Sequence, residues 1–490
     1  MDFNAWFTVR RLPASAGSLI LALGCMSAAI AQNTFSGALP ANSPDYALPS
    51  VPEEKNDLTL RDAALLALQR NPELAAFVKE TRALRGATLQ AGLLPNPDLV
   101  ITAENAGNLP KAGASSDRIG AKDVEQQDTI IRINQLIELG GKRAARVKAA
   151  SLAEELAIQD YETRRLELIA QVANVFTDVL TGQEQLRLAQ ESQQLAQRVV
   201  STVAKRVQAG KVPPIEETKV EVAFSATEIA LVQAQRDLAA ARKRLALLWG
   251  NSSPQFNKAL GNLESLVAAP DFETLAERTL ANPMARRAAK NTEQRKALVE
   301  LEQARRIPNL TVAAGIINHS HTGGTTALAG ISVPLQIFDR NQGNLREAYE
   351  RADKALDEQT AIDLRLKTDL TQAYEALLAA QDEIRILRDS ILPKARNAFE
   401  VTNKGYELGK FGFLEVLDAQ RTLFQNQILY VRALSNYQRL VNEIERLIAG
   451  PIDAVPGGPP NSVRDGVRDG VSSHSAVSGA NANTASGSGL

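Results

Sequence analysis

The stretch "GYELGKFGFLEVLDAQ", Gly405 to Gln420, decides how this chain is read. A glycine turn stands directly before a helix-like run in which Glu415 and Asp418 sit among apolar residues. Three residues apart on a helix places both acids on one face. Buried there they would be costly; in water they are ordinary. A similar stretch, "RVQAGKVPPIEETK" from Arg206 to Lys219, occurs about 200 residues earlier, and the match extends well beyond the two turns.

The body of the chain is a duplication. "ALQRNPELAA" (67–76) resembles "TLANPMARRA" (279–288), and "NPDLVITAENAG" (96–107) resembles "IPNLTVAAGIIN" (307–318). "LALLWG" (245–250) resembles "ERLIAG" (445–450). Each half reads helix, strand, loop, strand, very long helix, turn, long helix. Strand candidates alternate with period two: Leu99, Ile101 and Ala103 point one way, Val100, Thr102 and Glu104 the other. Leu310, Val312, Ala314 and Ile316 oppose Asn309, Thr311 and Ala313, and returning strands are expected near 128–135 and 326–334. Such alternation suits a barrel wall with one face in lipid and one in water. Leu370, Leu377, Ile384 and Ile391 recur every seven residues with Ala373, Ala380 and Leu387 offset, which is a coiled-coil seam. Val172, Val175, Val179, Leu186, Val199 and Val203 keep a looser version. Gly141 to Gly210 allows a helix of roughly 100 Å, and Pro393 is expected to kink or break its counterpart.

Composition agrees. Of 490 residues, 56 are acidic and 55 basic, so nothing points to a nucleic-acid partner. Aromatic residues make up 4%, against abundant Ala, Leu, Gln, Glu and Arg, as in long helices packed through small side chains. One cysteine, Cys25, allows neither a disulfide framework nor a thiolate metal site. Arg10 and Arg11 precede an apolar stretch ending in Ala29-Ile30-Ala31, an export signal cleaved after Ala31. "LALGC" offers the alternative of lipid on Cys25. No later run approaches the ~20 apolar residues of a membrane helix, which excludes an inner-membrane transporter. The expected organisation is a signal peptide (1–31), an extended segment (32–56), a first repeat (57–250), a linker (251–271), a second repeat (272–450) and a disordered tail (451–490). The fold class is mainly α with a small membrane β-barrel. Four strands cannot close a barrel, and an open edge in lipid leaves backbone groups unpaired, so the chain must oligomerise.

On these residues the chain resembles the outer-membrane efflux factor family typified by TolC, and within it the heavy-metal branch typified by CzcC and CusC. The pairs Asn71-Pro72 and Asn282-Pro283, "QLIELGGKR" (135–143), "VPLQIFDRNQGN" (333–344) and "YELGKFGFLEVLDAQ" (406–420) carry the resemblance. It implies a homotrimeric channel-tunnel in the outer membrane. Three chains would share one barrel, sit in outer-membrane lipid and continue as a long periplasmic tunnel. It also implies a periplasmic adaptor (membrane fusion) protein and an inner-membrane pump of the resistance-nodulation-division type. Glu415 and Asp418 would line the periplasmic aperture as stacked carboxylate rings. Ala209, Gly210, Lys211, Leu408, Gly409 and Lys410 would be the adaptor-docking tips. The cargo implied is heavy-metal cations, of the cobalt/zinc/cadmium or copper/silver class. Drug efflux and type I protein secretion are the alternatives within this class, and a periplasmic coiled-coil adaptor or a soluble helical scaffold outside it. No nucleotide, nucleophile or phosphate-loop pattern is present, so no enzyme, catalytic, cofactor-binding or metal residue is expected. His319 and His321 are expected in an outside surface loop, and Lys142 and Arg143 against lipid phosphates or neighbouring acids.

Overall fold

The computed structural model describes residues 57–104, 128–319 and 323–453. These fall in one unit of the chain, Ser50–Val467; the other unit, Met1–Pro49 with Arg468–Leu490, lies outside the described residues. So do the expected signal peptide, Ala31, Cys25, His321 and residues 454–490.

Both halves follow one plan. The first is β1 (Asp57–Thr59), α1 (Leu60–Arg70), α2 (Pro72–Ala91), β2 (Asp98–Glu104), β3 (Asp128–Ile137), α3 (Lys142–Gln208) and α4 (Ile215–Leu247). The second is β4 (Lys258–Leu260), α5 (Phe272–Thr279), α6 (Pro283–Arg305), β5 (Leu310–His319), β6 (Gly324–Ser332), α7 (Gln342–Ile386), α8 (Leu392–Glu407) and α9 (Phe413–Leu447). At 67 residues α3 is about 100 Å long.

The Asn-Pro pairs have a double task. Asn71 Oδ1 accepts from Leu74 N at 2.9 Å, and Asn282 Oδ1 from Met284 N at 2.8 Å, so each caps the helix that its proline begins. Their amide groups point the other way. Asn71 Nδ2 donates to Leu248 O at 2.9 Å, and Asn282 Nδ2 to Arg446 O and Leu447 O at 3.0 and 2.8 Å. Each asparagine thus joins the start of one helix to the orphan carbonyls at the end of the returning helix of its own repeat.

The long helices also begin alike. Gly141 (φ 72°) precedes α3 and Asn341 (φ 58°) precedes α7, both left-handed. Gly140 must be glycine: a Cβ there would lie 2.7 Å from the Ile307 side chain. The seam is buried as its spacing predicts, with Leu370, Leu377 and Ile384 fully enclosed against Tyr437, Val441 and Ile444 of α9. Pro393 does not end the helix. A five-residue π segment, Leu387–Ile391, widens the helix just before it, with Leu392 N bonding to Leu387 O. The extra residue lets the chain stay helical to Glu407 although Pro393 has no N–H to give.

Three findings depart from expectation. Of the two surroundings expected for Lys142, lipid phosphates are replaced by burial, its ammonium donating to Ile307 O and Asn309 Oδ1, while a neighbouring acid, Glu138, does act on it. His319 does not lie in a loop. It is the last residue of β5, with Nδ1 3.0 Å from Asp128 Oδ2 and Nε2 3.1 Å from Thr326 Oγ1. Those two neighbours hold the strand in register to its end. Finally, the segment joining the repeats holds β4, which pairs in parallel with β1 and is clasped by the Gln183 amide through Ala259 N (2.8 Å) and O (3.0 Å).

Candidate functional site

Two regions matter: the sheet at one end of the long helices and the turns at the other. The sheet has the order β2-β3-β5-β6, antiparallel throughout. Its register aligns residues by face. Leu99 pairs with Ile133 and Ile101 with Ile131; Ile133 pairs with Ala314 and Ile131 with Ile316; Ala314 and Ile316 pair with Ala329 and Ala327. Val312 and Ile331 extend the row. One face is therefore an apolar band across all four strands, with Leu99, Ile101, Ile133 and Ile331 exposed. The opposite face is mixed: Asp98, Thr102, Glu104, Asp128, Arg132, Asn134 and His319 share it with Val100, Ile130, Leu136, Ile317 and Leu328. One face without a charge, and all the strand charges on the other, suits an outer-membrane barrel wall with lipid on the first side. No helix among the described residues is long and apolar enough to cross a membrane.

Where strands meet helices, Arg146 acts as a staple. Its guanidinium binds Glu138 at 2.6 and 3.0 Å, while Nε donates to Ala91 O at 2.8 Å at the end of α2. A cation suits helix-terminal carbonyls. The Arg146 bond holds the Glu138 carboxyl below the usual carboxylate range, outweighing the upward push of burial. Arg143 Nε donates to Gly92 O at 2.6 Å. A cavity of about 510 Å³ opens here, lined by Glu138, Lys142, Arg146 and Arg305 among others.

At the far end the duplicate turns close identically. Lys211 N bonds to Arg206 O and Gly210 N to Val207 O, both at 2.9 Å; Lys410 N bonds to Gly405 O at 2.8 Å and Gly409 N to Tyr406 O at 2.9 Å. That is the Schellman pattern, and Gly210 (φ 68°) and Gly409 (φ 73°) supply its left-handed residue. Ala209, Gly210, Lys211, Leu408, Gly409 and Lys410 are all exposed. The Phe411 ring lies against Gly405 so closely that a Cβ there would come within 2.1 Å of it.

Behind the turns, Val203, Val220, Tyr406, Phe413 and Val416 form one small core drawn from α3, α4, α8 and α9. It joins the two hairpins. Arg206 lies over the Tyr406 ring, 4.4 Å from its centroid, and donates to Tyr406 O at 2.8 Å. The Tyr406 hydroxyl and Glu216 Oε2 are buried, neither with a hydrogen bond of good geometry. Burial pushes the Tyr406 phenol up; Arg206 opposes this through its charge and Glu216 adds to it.

Glu415 and Asp418 lie on the other side of α9 from Phe413 and Val416, and both are exposed. Within one chain they are wet. Glu415 also stands in the first turn of α9, where a negative charge is favoured by the helix dipole. Its duplicate Glu216 is half-buried and faces Tyr406 instead. Sequence reasoning missed Arg206, Glu216 and Tyr406 as a group. All three lie in or beside the duplicated stretches, but no periodicity reports a contact between residues 200 apart.

The model of the family described as "Outer membrane efflux protein" matches residues 64–251 and again 276–450. The chain belongs to the outer membrane efflux protein family. It is 36% identical over 396 residues, 81% of its length and 91% of the relative's, to the cobalt-zinc-cadmium resistance protein CzcC of Cupriavidus metallidurans. It is 27% identical, over 74% of its length and 79% of the relative's, to the pyoverdine export outer membrane protein OpmQ of Pseudomonas putida. Among solved structures, CusC superposes with a TM-score of 0.66 at 17% identity, over 83% of this chain and 99% of that one. VceC of Vibrio cholerae gives 0.65 at 19%, over 80% and 97%. These share the fold. The family places this efflux protein in the outer membrane, its sheet as barrel wall and its long helices as the periplasmic tunnel.

Proposed function

We propose that this protein is the passive outer-membrane duct of a tripartite efflux system that exports heavy-metal cations. The observation that carries the reading is the register of the sheet, which gathers an exposed, charge-free apolar band on one face and every strand charge on the other, on a wall too narrow to close alone. Three copies of four strands give twelve, enough for a barrel. Each chain contributes two repeats, 57–250 and 272–450, so three chains supply a ring of hairpins. A periplasmic adaptor docks at the tips, through Ala209, Gly210, Lys211, Leu408, Gly409 and Lys410. A proton-driven pump in the inner membrane delivers the cargo, and the duct itself catalyses nothing.

The cargo assignment rests on the likeness to the cobalt-zinc-cadmium resistance protein, which spans most of both chains. Glu415 and Asp418, exposed on one side of α9, become two stacked carboxylate rings when three chains meet. Rings of that kind favour cations. The likeness to a pyoverdine exporter favours a second reading, export of small organic molecules. A deletion strain tested against zinc, cobalt, cadmium, copper and silver decides between them. Sensitivity to one or more metals supports the first reading; unchanged metal tolerance rejects it. Planar-bilayer recording of the pure protein tests the duct itself, which must conduct. Divalent block should weaken when Glu415→Ala is combined with Asp418→Ala.

A further inference from the structure

Two apolar segments at the helix-side end of the sheet have no cover within the chain. Beyond β6, Leu335 is 82% and Phe338 89% exposed, with Ile337 between them also exposed. Before β2, Leu94 is 65% exposed, beside exposed Leu93. They cannot cover each other in one chain. β2 and β6 are opposite edges of the sheet, three strand spacings or about 14 Å apart.

Both edges carry the apolar band, through Leu99 and Ile101 on β2 and Ile331 on β6. Their free N–H and C=O groups therefore lie at hydrocarbon depth, where each must find a partner. The strand directions allow β6 of one copy to run antiparallel beside β2 of the next. That juxtaposes Ser332 at the end of one with Asp98 at the start of the other. The ladder must stop there. Pro95 and Pro97 precede β2, Pro334 follows β6, and proline has no N–H to donate. Beyond the prolines only side chains can hold the copies together, and the chain places an exposed apolar segment on each side.

We infer that Leu335, Ile337 and Phe338 of one copy pack over Leu93 and Leu94 of the next, closing the ring where barrel meets tunnel. The occupant of the patch is a second copy of this chain. The prolines set the register, and the aromatic clasp seals the seam below it. The inference rests on the oligomeric duct proposed above and adds the residues that join its subunits.

The test uses the full chain in outer-membrane fractions. Leu94→Cys and Phe338→Cys are introduced together and treated with a short bismaleimide. Each single variant serves as the control for Cys25, the sole natural cysteine. Covalent dimers and trimers from the double variant alone are the expected result. Phe338→Asp should lower the temperature at which the trimer separates, and Phe338→Leu should restore most of the loss. An intact trimer without cross-links, in which Phe338→Cys reacts instead with a lipid-confined probe, overturns the clasp and leaves the duct standing. If the unsubstituted chain forms no trimer, the duct reading and the clasp fall together.

Discussion

The guanidinium of Arg206 sits 4.4 Å above the Tyr406 ring and donates to the same residue's carbonyl at 2.8 Å, tying the end of α3 to the end of α8. The two residues belong to different repeats, so this contact joins the hairpins at the tips. A partly desolvated cation–π contact and one charge-assisted hydrogen bond together are worth roughly 2–5 kcal/mol. Arg206→Ala should loosen the tip by that order, read as faster proteolysis near Gly210 and Gly409 and as more frequent channel opening. Unchanged proteolysis would show that the apolar cluster alone holds the hairpins.

The Tyr406 hydroxyl separates two effects at one position. It is buried without a well-formed hydrogen bond, so Tyr406→Phe removes an unsatisfied group and should be neutral or slightly stabilising. Tyr406→Ala empties the centre of the inter-hairpin core and should cost about 3–5 kcal/mol. Thermal dissociation of both variants measures the difference. A large loss with phenylalanine would mean that the hydroxyl meets a partner, Arg206 and Glu216 being the charged groups that act on it.

The two asparagines test the duplication. Asn282 is buried and joins α6 to the last carbonyls of α9. Asn282→Ala should cost about 2 kcal/mol, the sum of a lost cap and orphaned carbonyls. Asn282→Asp keeps the cap acceptor but turns a carboxylate on those carbonyls, and should be worse than alanine at neutral pH. Asn71→Asp should behave likewise through Leu248. If aspartate is tolerated as well as asparagine, the amide bonds contribute nothing.

At the end of α4 the left-handed residue is Gly250 (φ 79°); at the end of α9 the cap closes one residue earlier in the aligned repeat, and its left-handed residue is Ala449 (φ 51°). Alanine in that region costs roughly 1–2 kcal/mol, of which glycine's extra chain entropy would return about half. Ala449→Gly should therefore raise stability by about 0.5–1 kcal/mol, seen as a higher dissociation temperature. Gly250→Ala should lower it by a similar amount.

Much of this was legible in the sequence because it repeats. The alternation of Leu99, Ile101 and Leu310 to Ile316 marked the strands, and the heptads from Leu370 to Ile391 marked the seam. Gly210 and Gly409 announced the tips because only a left-handed turn explains them so placed. What stayed hidden has no period. β1 and β4 are three residues each, too short to alternate. The burial of Lys142 depends on carbonyls 165 residues away. The contrast between wet Glu415 and half-buried Glu216 is set by which hairpin face meets Tyr406, which neither copy states alone.

Glu138 and Arg146 offer a handle on pH. The salt bridge holds the Glu138 carboxyl below its ordinary value, so its folded pKa lies under its unfolded one. Its stabilisation is fully present above the unfolded value of about 4.3 and is lost as pH falls through the folded one. The junction of barrel and tunnel should thus weaken in acid, and the bridge should be indifferent to pH between neutral and mildly acidic conditions. Glu138→Gln removes this titration and should flatten the acid limb of a stability–pH curve while lowering its plateau. Arg146→Ala should cost more, on the order of 2–3 kcal/mol, because it takes away the hydrogen-bonded partner of Glu138, leaving only the charges of Lys142 and Arg143, and frees the carbonyl of Ala91 as well. An acid limb unchanged by Glu138→Gln would assign acid sensitivity to other carboxylates.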